Sequence, residues 1–344
     1  MDGNTYTSVN TEMKTSKRGI SGSTLKLIAI FTMLIDHIGA AVIDKVLAAK
    51  GMYNLDASDI QATQTFLNNN IVLYIVYFIM RLIGRLAFPI FCFLLVEGFL
   101  HTRNRQKYAI RLAIFSLVSE IPFDLAIFGK TIDMSHQNVF FTLLIGLLVM
   151  IGFKAVSDKK RDKKLLPAMV VAGAILIGCV VTYYVKGLIR IINIILTISK
   201  TTTASSIDIL TLIILTAIFS SIALLIYAVM NKKSSLKASV WFADLGVLAA
   251  GMLLAELLKT DYSGFGVLTI AIMYGLRKSY MKSMLGGCIT LTILSFSEFT
   301  AFFDLILIRF YNGKRGINLK YIFYLFYPVH LFLLYLICYF MKLK

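Results

Sequence analysis

The sequence has little charge, few cysteines and few prolines. Only 15% of its 344 residues are charged, against about 25% in a typical soluble domain, while 58% are hydrophobic and the mean hydropathy is +0.80. The four cysteines form no CxxC pair, which argues against a disulfide-rich secreted scaffold and a thiolate metal site, so no metal is expected. The apolar excess is too large for one soluble core, which leaves an integral membrane protein.

Long apolar runs recur from Leu25 to Met341. They predict an all-α, polytopic integral membrane protein with about ten (ten or eleven) transmembrane helices. The predicted helices span residues 25–43, 71–100, 107–128, 138–154, 165–186, 207–230, 239–258, 263–277, 283–297 and 321–341. The second is expected to break near Gly84 and Pro89. A short apolar stretch, 299–311, would be re-entrant, interfacial or an eleventh crossing.

The two ends of the first apolar run set the predicted domain organisation. Residues 1–24 are rich in Ser, Thr, Lys and Asn, and predict a disordered cytosolic tail. The run from Leu25 to Ile43 is too long for a typical signal peptide, and Asp36-His37 interrupts it. It is therefore expected to be a retained span, and residues 25–344 are expected to form a single transmembrane domain.

The formal net charge of +17 is distributed as a topology signal. Every second connection between predicted helices is basic, as the positive-inside rule requires of a chain with a cytoplasmic N-terminus in a bacterial plasma membrane. The basic connections are short and lack interleaved aromatics, so no nucleic-acid partner is expected beside the lipid bilayer. The loop 312–320 would lie outside with ten crossings and inside with eleven.

Two polar residues lie near the centre of the first predicted helix. Charged groups inside the bilayer are costly and usually functional. Lys26 precedes His37 by three helical turns, so both lie on one face with an axial separation of roughly 16 Å. His37 could be a catalytic or proton-relay histidine, or a histidine hydrogen-bonded to another helix. Asp36 points about 100° away from His37 and is expected to serve a neighbouring helix.

The second predicted helix carries two arginines and one glutamate. Arg85 lies deep in an apolar stretch and needs a partner, whereas Arg81 is close enough to the surface to snorkel. Glu97 lies towards the cytosolic end. Glu97 could form an ion pair with Lys107 or Arg111, and this interpretation is as good as a functional role.

The third predicted helix carries Glu120 and Asp124, four residues apart and hence on one face. Glu120 falls near mid-membrane, where a carboxylate must pair or stay protonated. Arg85 and His37 are the available partners of opposite charge, and a structural ion pair is as good an interpretation as chemistry.

Polar residues also begin the fourth predicted helix and interrupt the last. His136-Gln137-Asn138 could bind a polar ligand at the outer face, or simply provide the polarity of a helix start. Tyr327 and His330 flank Pro328, which frees a backbone carbonyl. The segment is either a second polar wall of the same cavity as His37 or a kink that the His330 side chain satisfies.

Several segments resemble the TraX family. They are MLIDHIG from Met33, GRLAFPIFCFLLVEGFLHTRNRQKYAIRL from Gly84, SEIPFD from Ser119, HQNVFFTL from His136, and YNGKRG with KYIFYLFYPVHL near the end. The resemblance covers almost the whole chain from about residue 25. It implies a conjugation-associated membrane protein that acetylates a pilin N-terminus. The family looks related to transmembrane acyltransferases, which often show a basic residue, ten residues and then His; Lys26 and His37 have that spacing, with Lys replacing the commoner Arg.

The resemblance implies a transmembrane acyltransferase-like domain that takes an acetyl group from cytosolic acetyl-CoA. His37 would be the general base or the acetyl carrier, with Asp36 or Glu120 as orienters and Arg85 near the oxyanion. The groups expected to bind acetyl-CoA line the cytosolic rim: Lys26, Glu97, Arg103, Arg105, Lys107, Arg111 and Arg315. The groups expected to bind the acceptor lie further out: Asp124, His136, Gln137, Asn138, Tyr327 and His330.

The acceptor would be a surface glycan, a lipid-linked sugar, or a peptide or pilin N-terminus. Two other functions stay open at this stage. Intramembrane His, Asp, Glu and Arg also suit a proton-coupled transporter, and a non-enzymatic part of a conjugation or secretion machine is the third. A homo-oligomer is also left open.

Overall fold

The computed structural model describes residues 19–56, 59–159, 165–198, 208–233, 235–317 and 320–343, and every regular element in these ranges is helical. The helices are α1 Gly22–His37, α2 Asp44–Ala49, α3 Ile60–Gly84, α4 Ala87–His101, α5 Arg105–Phe128, α6 Val139–Lys159, α7 Leu165–Ile198, α8 Ile209–Lys233, α9 Ser235–Leu257, α10 Ser263–Gly275, α11 Tyr280–Leu294, α12 Asp304–Arg309 and α13 Lys320–Phe340. A π-helical turn, Ile38–Ile43, makes α1 and α2 continuous.

The predicted fold class is confirmed. Within the described residues, seven helical segments are long and apolar enough to cross a membrane, and α10 and α11 are shorter apolar helices. Each of the ten predicted helices has a counterpart. Of the predicted tail, residues 1–18 lie outside the described residues, and α1 begins at Gly22, three residues earlier than expected.

The predicted break in the second span is present between α3 and α4. The chain turns at Arg85 and Leu86, and Pro89 falls in the first turn of α4, where a missing N–H costs no helical hydrogen bond. Gly84 is needed here, because a Cβ at this position would collide with the Asp36 carboxylate of α1. The glycine therefore lets a half-buried acid reach the end of α3.

Three contacts show that α13 runs parallel to α1. The Lys26 ammonium lies 5.2 Å from the centre of the Phe323 ring, His37 contacts His330, and the Cys338 thiol donates to the Ala41 carbonyl at 3.3 Å. Because the pairs occur in the same order along both helices, the two helices begin at the same end. This end, which contains the start of α1, is called the inner end below, and the opposite one the outer end.

The loop before α13 is tied to the start of α1. The Gly22 and Ser23 N–H groups donate to the carbonyls of Lys314 and Arg315 at 2.8 and 2.9 Å. The Ser21 side chain caps α1 by accepting from the Thr24 N–H. The described part of loop 312–320 therefore lies at the inner end, as eleven crossings require and ten do not.

The segment between α11 and α13 returns the chain to the inner end. It consists of a 3₁₀ helix, Phe296–Phe303, followed by α12. Eight residues of 3₁₀ helix and six of α-helix rise about 25 Å, close to the thickness of a hydrocarbon core of about 30 Å. The segment packs against α11 and ends at the loop bound to α1, so it runs to the inner end rather than turning back.

The chain forms two compact units. The split unit comprises residues 1–147 and 259–344, and the middle unit comprises residues 148–258. In the split unit, α1 packs against α3, α4 and α13, and α13 packs against α5. In the middle unit, α7 packs against α8 and α9. All of the predicted site residues belong to the split unit, and the single domain predicted for residues 25–344 stays a prediction.

Candidate functional site

His37 of α1 contacts His330 of α13 inside the split unit. The His37 Nδ1 atom lies 2.6 Å from the His330 Nε2 atom, and the His330 Nδ1 atom lies 2.7 Å from the Phe326 carbonyl oxygen. The ring planes differ by only 8°, with centroids 4.9 Å apart. His330 is buried and His37 half-buried. His330 is thus in direct contact with His37, and the cavity of which the two were expected to form walls stays a prediction.

The aromatic surroundings hold this pair in place. The buried Tyr327 ring meets the His37 ring edge-on at 5.6 Å, and Phe140 of α6 packs against Tyr327 at 4.8 Å. The Phe326 ring stacks on His330 at 4.7 Å. The alternative interpretation of His330 as the group that satisfies the proline kink is not what is observed, since its ring bonds the Phe326 carbonyl rather than the Tyr324 carbonyl that Pro328 releases.

The histidine pair is not built as a metal centre. Two imidazole ligands of a tetrahedral zinc, each about 2.0 Å from the metal, would hold their nitrogens further apart than the observed 2.6 Å. Within the described ranges, no group of three or more His, Cys, Asp and Glu side chains has metal-binding geometry. The short N···N distance instead marks a hydrogen bond.

Two ion pairs lie beside the histidines. The Arg81 guanidinium contacts the Asp36 carboxylate at 2.6 Å, which confirms that Asp36 serves a neighbouring helix. Arg85 pairs with Glu298 at 3.0 Å. The sequence reasoning had missed Glu298, although a carboxylate in the apolar stretch after α11 was a signal that could have identified it.

The expected partners of Glu120 were wrong. Its carboxylate accepts hydrogen bonds from the Asn138 side-chain amide and, at 3.3 Å, from the Asn138 N–H. The same amide also donates to the Ser116 carbonyl at 2.8 Å. Arg85 is already paired with Glu298, and His37 bonds His330, so neither is the partner of Glu120.

The other residues expected to bind the acceptor make hydrogen bonds and an ion pair within the outer end. Asp124 accepts from the Asp133 N–H at 2.8 Å, and Gln137 exchanges backbone hydrogen bonds with the segment Lys259–Asp261. His136 lies 3.6 Å from the Asp261 carboxylate, which raises the pKa of His136.

The backbone from Lys259 to Ser263 is unusual. Lys259, Tyr262 and Ser263 have φ values of 53°, 61° and 47°, a conformation that is strained for residues other than glycine. Sequence reasoning had not singled out these residues.

The residues expected to bind acetyl-CoA lie at the inner end. Glu97 is buried and accepts from the Tyr311 hydroxyl at 3.3 Å, so its expected partners Lys107 and Arg111 are not the ones observed. Arg105 lies 4.8 Å from the centre of the Phe99 ring, and its Nε atom is buried without a hydrogen-bond partner among the described residues.

The remaining cations of the inner end lie at the protein surface. Arg103, Lys107 and Arg315 are exposed, and Arg111 bonds the Lys107 carbonyl at 2.9 Å. Lys26 packs on Phe323, two turns before His330 on α13. Lys26 and His37 therefore face the same neighbouring helix, as their spacing predicted.

Comparison with known proteins gives two matches. A family model described as "TraX protein" matches residues 21–237 and 218–338. A protein of Dichelobacter nodosus, named "Probable fimbrial assembly protein FimC, serogroup H1", is 40% identical over 81 residues, which cover 22% of this chain and 33% of that protein. The chain thus spans about a third of the length of this curated relative. No solved structure matches the chain.

Proposed function

The chain belongs to the TraX family, and from this premise we propose that it is a multipass membrane acetyltransferase. In this proposal the inner end faces the cytosol and binds acetyl-CoA, and the acceptor binds from the outer end. The observation that carries the proposal is the half-buried His37, hydrogen-bonded to a second histidine in the middle of a helix that begins among basic residues.

The inner end suits an anionic acetyl donor. Arg103, Lys107 and Arg315 are exposed there, and charge-assisted bonds to phosphate oxygens are among the stronger hydrogen bonds. The Nε–H of Arg105 is buried without a partner in the described part of the chain, and it is a donor that a ligand could satisfy. When bound, acetyl-CoA would supply the acetyl group. Buried Glu97 would act by positioning Tyr311 rather than by contacting phosphate.

The outer half of the site suits a polar acceptor. Among the atoms there that are buried without a hydrogen-bond partner in the described residues are Asp36 Oδ1, Arg85 Nε, Glu120 Oε1 and Glu298 Oε2. Unpaired buried polar atoms are costly, and a bound hydroxyl, amine or amide would satisfy them. His37 would then deprotonate the acceptor or carry the acetyl group, and Arg85 would stabilise developing negative charge.

The family and the relative together narrow the acceptor. TraX membership implies pilin modification in conjugation, and the relative's name refers to fimbrial assembly. A peptide or pilin N-terminus is therefore the first acceptor to test, before a surface glycan or a lipid-linked sugar.

The proposal is tested with the full chain purified in detergent and incubated with radiolabelled acetyl-CoA. We expect binding of acetyl-CoA and slow hydrolysis, or transfer to a supplied peptide amine or sugar. His37→Ala should lower the rate about 10²- to 10⁴-fold, the usual contribution of a general base. His101→Gln is the matched control, because His101 lies on the surface of α4. Wild-type rates in His37→Ala, or no binding of acetyl-CoA, would contradict the proposal.

A second candidate is a proton-coupled transporter. The hydrogen-bonded histidines and the two neighbouring ion pairs favour it, because chains of buried titratable groups also occur in proton pathways. Proteoliposomes that hold a pH dye and a potassium diffusion potential distinguish the two. Potential-driven acidification without acetyl-CoA would support transport and argue against the enzyme.

A further inference from the structure

We propose that His330 is a positioning residue. It holds His37 in the tautomer with hydrogen on Nδ1, which leaves Nε2 as the nitrogen that reacts, and it receives the Nδ1 proton when His37 becomes charged. The inference rests on the proposed function for its role in catalysis, but its structural content can be tested without acetyl-CoA. It moves His330 from the acceptor-binding group, where the sequence placed it, to the support of His37.

The hydrogen-bond chain determines the tautomers. A backbone carbonyl only accepts, so the His330 Nδ1 atom, 2.7 Å from the Phe326 oxygen, must carry hydrogen. In a neutral imidazole the other nitrogen then accepts, so His330 Nε2 is an acceptor. Its partner at 2.6 Å, His37 Nδ1, must therefore be the donor. The lone pair of His37 is left on Nε2.

The ring geometry supports an in-plane hydrogen bond. The ring planes are within 8° of each other, and the centroid separation of 4.9 Å exceeds the N···N distance of 2.6 Å by about the radii of both rings. Rings packed face to face would bring the centroids closer than that. The two imidazoles therefore lie nearly in one plane, edge to edge, with the nitrogen lone pair of His330 directed at His37, as a strong hydrogen bond requires.

The carboxylates that the sequence offered as orienters have other partners. Asp36 contacts Arg81 at 2.6 Å, and Glu120 bonds the Asn138 amide. In the described part of the chain, neither carboxylate hydrogen-bonds the His37 ring. Within the described residues, His330 is the side chain that hydrogen-bonds this ring, so it takes the role that a carboxylate often has beside a catalytic histidine.

The proton movement is balanced and needs no other reactant. When His37 Nε2 takes a proton from the acceptor, the hydrogen on His37 Nδ1 moves along the hydrogen bond to His330 Nε2. His37 is then neutral again, and the positive charge lies on His330, whose Nδ1–H stays bonded to the Phe326 carbonyl. The reverse shift restores both rings when His37 gives up its proton. Sharing the charge over two rings lowers the cost of forming a cation away from water.

The tautomer is tested by ¹⁵N NMR of the full chain labelled on histidine, without acetyl-CoA. The chain has four histidines, so single variants assign each ring. We expect His37 to show a protonated Nδ1 and an unprotonated Nε2. His330→Phe should replace this signature with the mixture of tautomers typical of a free imidazole, while His330→Gln, whose amide oxygen can accept from Nδ1, should retain it. A His37 signature that is unchanged in His330→Phe would overturn the inference.

His101→Gln is the matched control for these variants. His101 makes the same bond from Nδ1 to a carbonyl four residues earlier, at 2.8 Å to Glu97, but it meets no second histidine. Its replacement should leave the His37 signals unchanged. The thermal unfolding midpoint in detergent identifies any variant that fails to fold. If His330→Phe does not fold, His330→Gln keeps the test valid.

Kinetics provide the second measurement. His330→Phe should lower kcat about 100-fold with KM for acetyl-CoA unchanged, because the variant loses stabilisation of the charge in the transition state and keeps the binding of acetyl-CoA. His330→Gln should recover about tenfold, since it restores the tautomer but cannot take the proton. Unchanged kcat in both would overturn the catalytic role of His330. Full activity in His37→Ala would instead contradict the proposed function, while the NMR result for the pair would still stand.

Discussion

The split unit and the middle unit bury different kinds of side chain. The split unit buries a histidine pair, the Arg85–Glu298 ion pair and the Asn138–Glu120 bond. The middle unit packs small and apolar groups, and its buried cluster consists of Val170, Ala174, Ala223 and Phe242.

In the middle unit, close backbone approach occurs beside hydroxyl contacts such as Tyr227 with Ser239 at 2.9 Å and Tyr184 with Glu256 at 2.7 Å. A Cβ on Gly173 would meet the Phe242 carbonyl, and one on Gly246 would meet the backbone of Gly173. Small residues let membrane helices associate by close packing, whereas buried polar groups reduce stability unless paired and usually serve function. In the proposed function, the middle unit would therefore be a scaffold and the split unit would carry the chemistry.

The largest stability effect should come from breaking the Arg85–Glu298 pair. Arg85→Met leaves the Glu298 carboxylate buried without its partner, so the free energy of unfolding should fall by about 3–5 kcal/mol. The double variant Arg85→Met with Glu298→Leu should recover most of that loss. Chemical or thermal unfolding in detergent measures both.

A partly exposed pair of the middle unit is the control for that change. Lys154 and Asp158 lie 3.5 Å apart on the α6 surface, and Lys154→Met should cost less than about 0.5 kcal/mol. Equal losses at the two pairs would remove the contrast between the units.

A smaller effect is expected from crowding the helix contact of the middle unit. Gly173→Leu should lower the free energy of unfolding by about 1–3 kcal/mol, because the new side chain meets the backbone of α9. Gly187→Leu on the same helix is the control, since nothing lies within 4 Å of its Cβ position and it should be neutral or stabilising by up to about 1 kcal/mol. Loss of acetyl transfer by correctly folded Gly173→Leu protein would show that the middle unit is more than a scaffold.

The smallest effect should come from the exposed cations of the inner end. Replacing Arg103 and Lys107 together by Gln should raise KM for acetyl-CoA about three- to tenfold with kcat unchanged, because exposed ion pairs contribute little each. The difference should shrink at high salt, which screens exposed charges. The exposed Lys237 of the middle unit is the control, and an equal rise in KM for Lys237→Gln would mean that net charge, not position, binds the donor.

Periodicity within one helix could be predicted well. The break near Gly84 and Pro89 and the common face of Lys26 and His37 follow from local geometry, and the structure has both. Partner choice could not be predicted in the same way. Arg85 and Glu120 each needed a partner, and the sequence suggested that they pair with each other. In the structure Arg85 pairs with Glu298, and Glu120 bonds Asn138.

The sequence by itself determined that the chain is a helical membrane protein with polar groups placed where lipid would exclude them, because hydropathy and helical period are properties of short segments. Only the tertiary structure decided that His330 hydrogen-bonds His37 across 293 positions of the chain, and that the loop before α13 returns to the start of α1. The physical reason is that a buried polar group is satisfied by whichever neighbour the helix packing brings within hydrogen-bond distance. Sequence spacing does not contain that information.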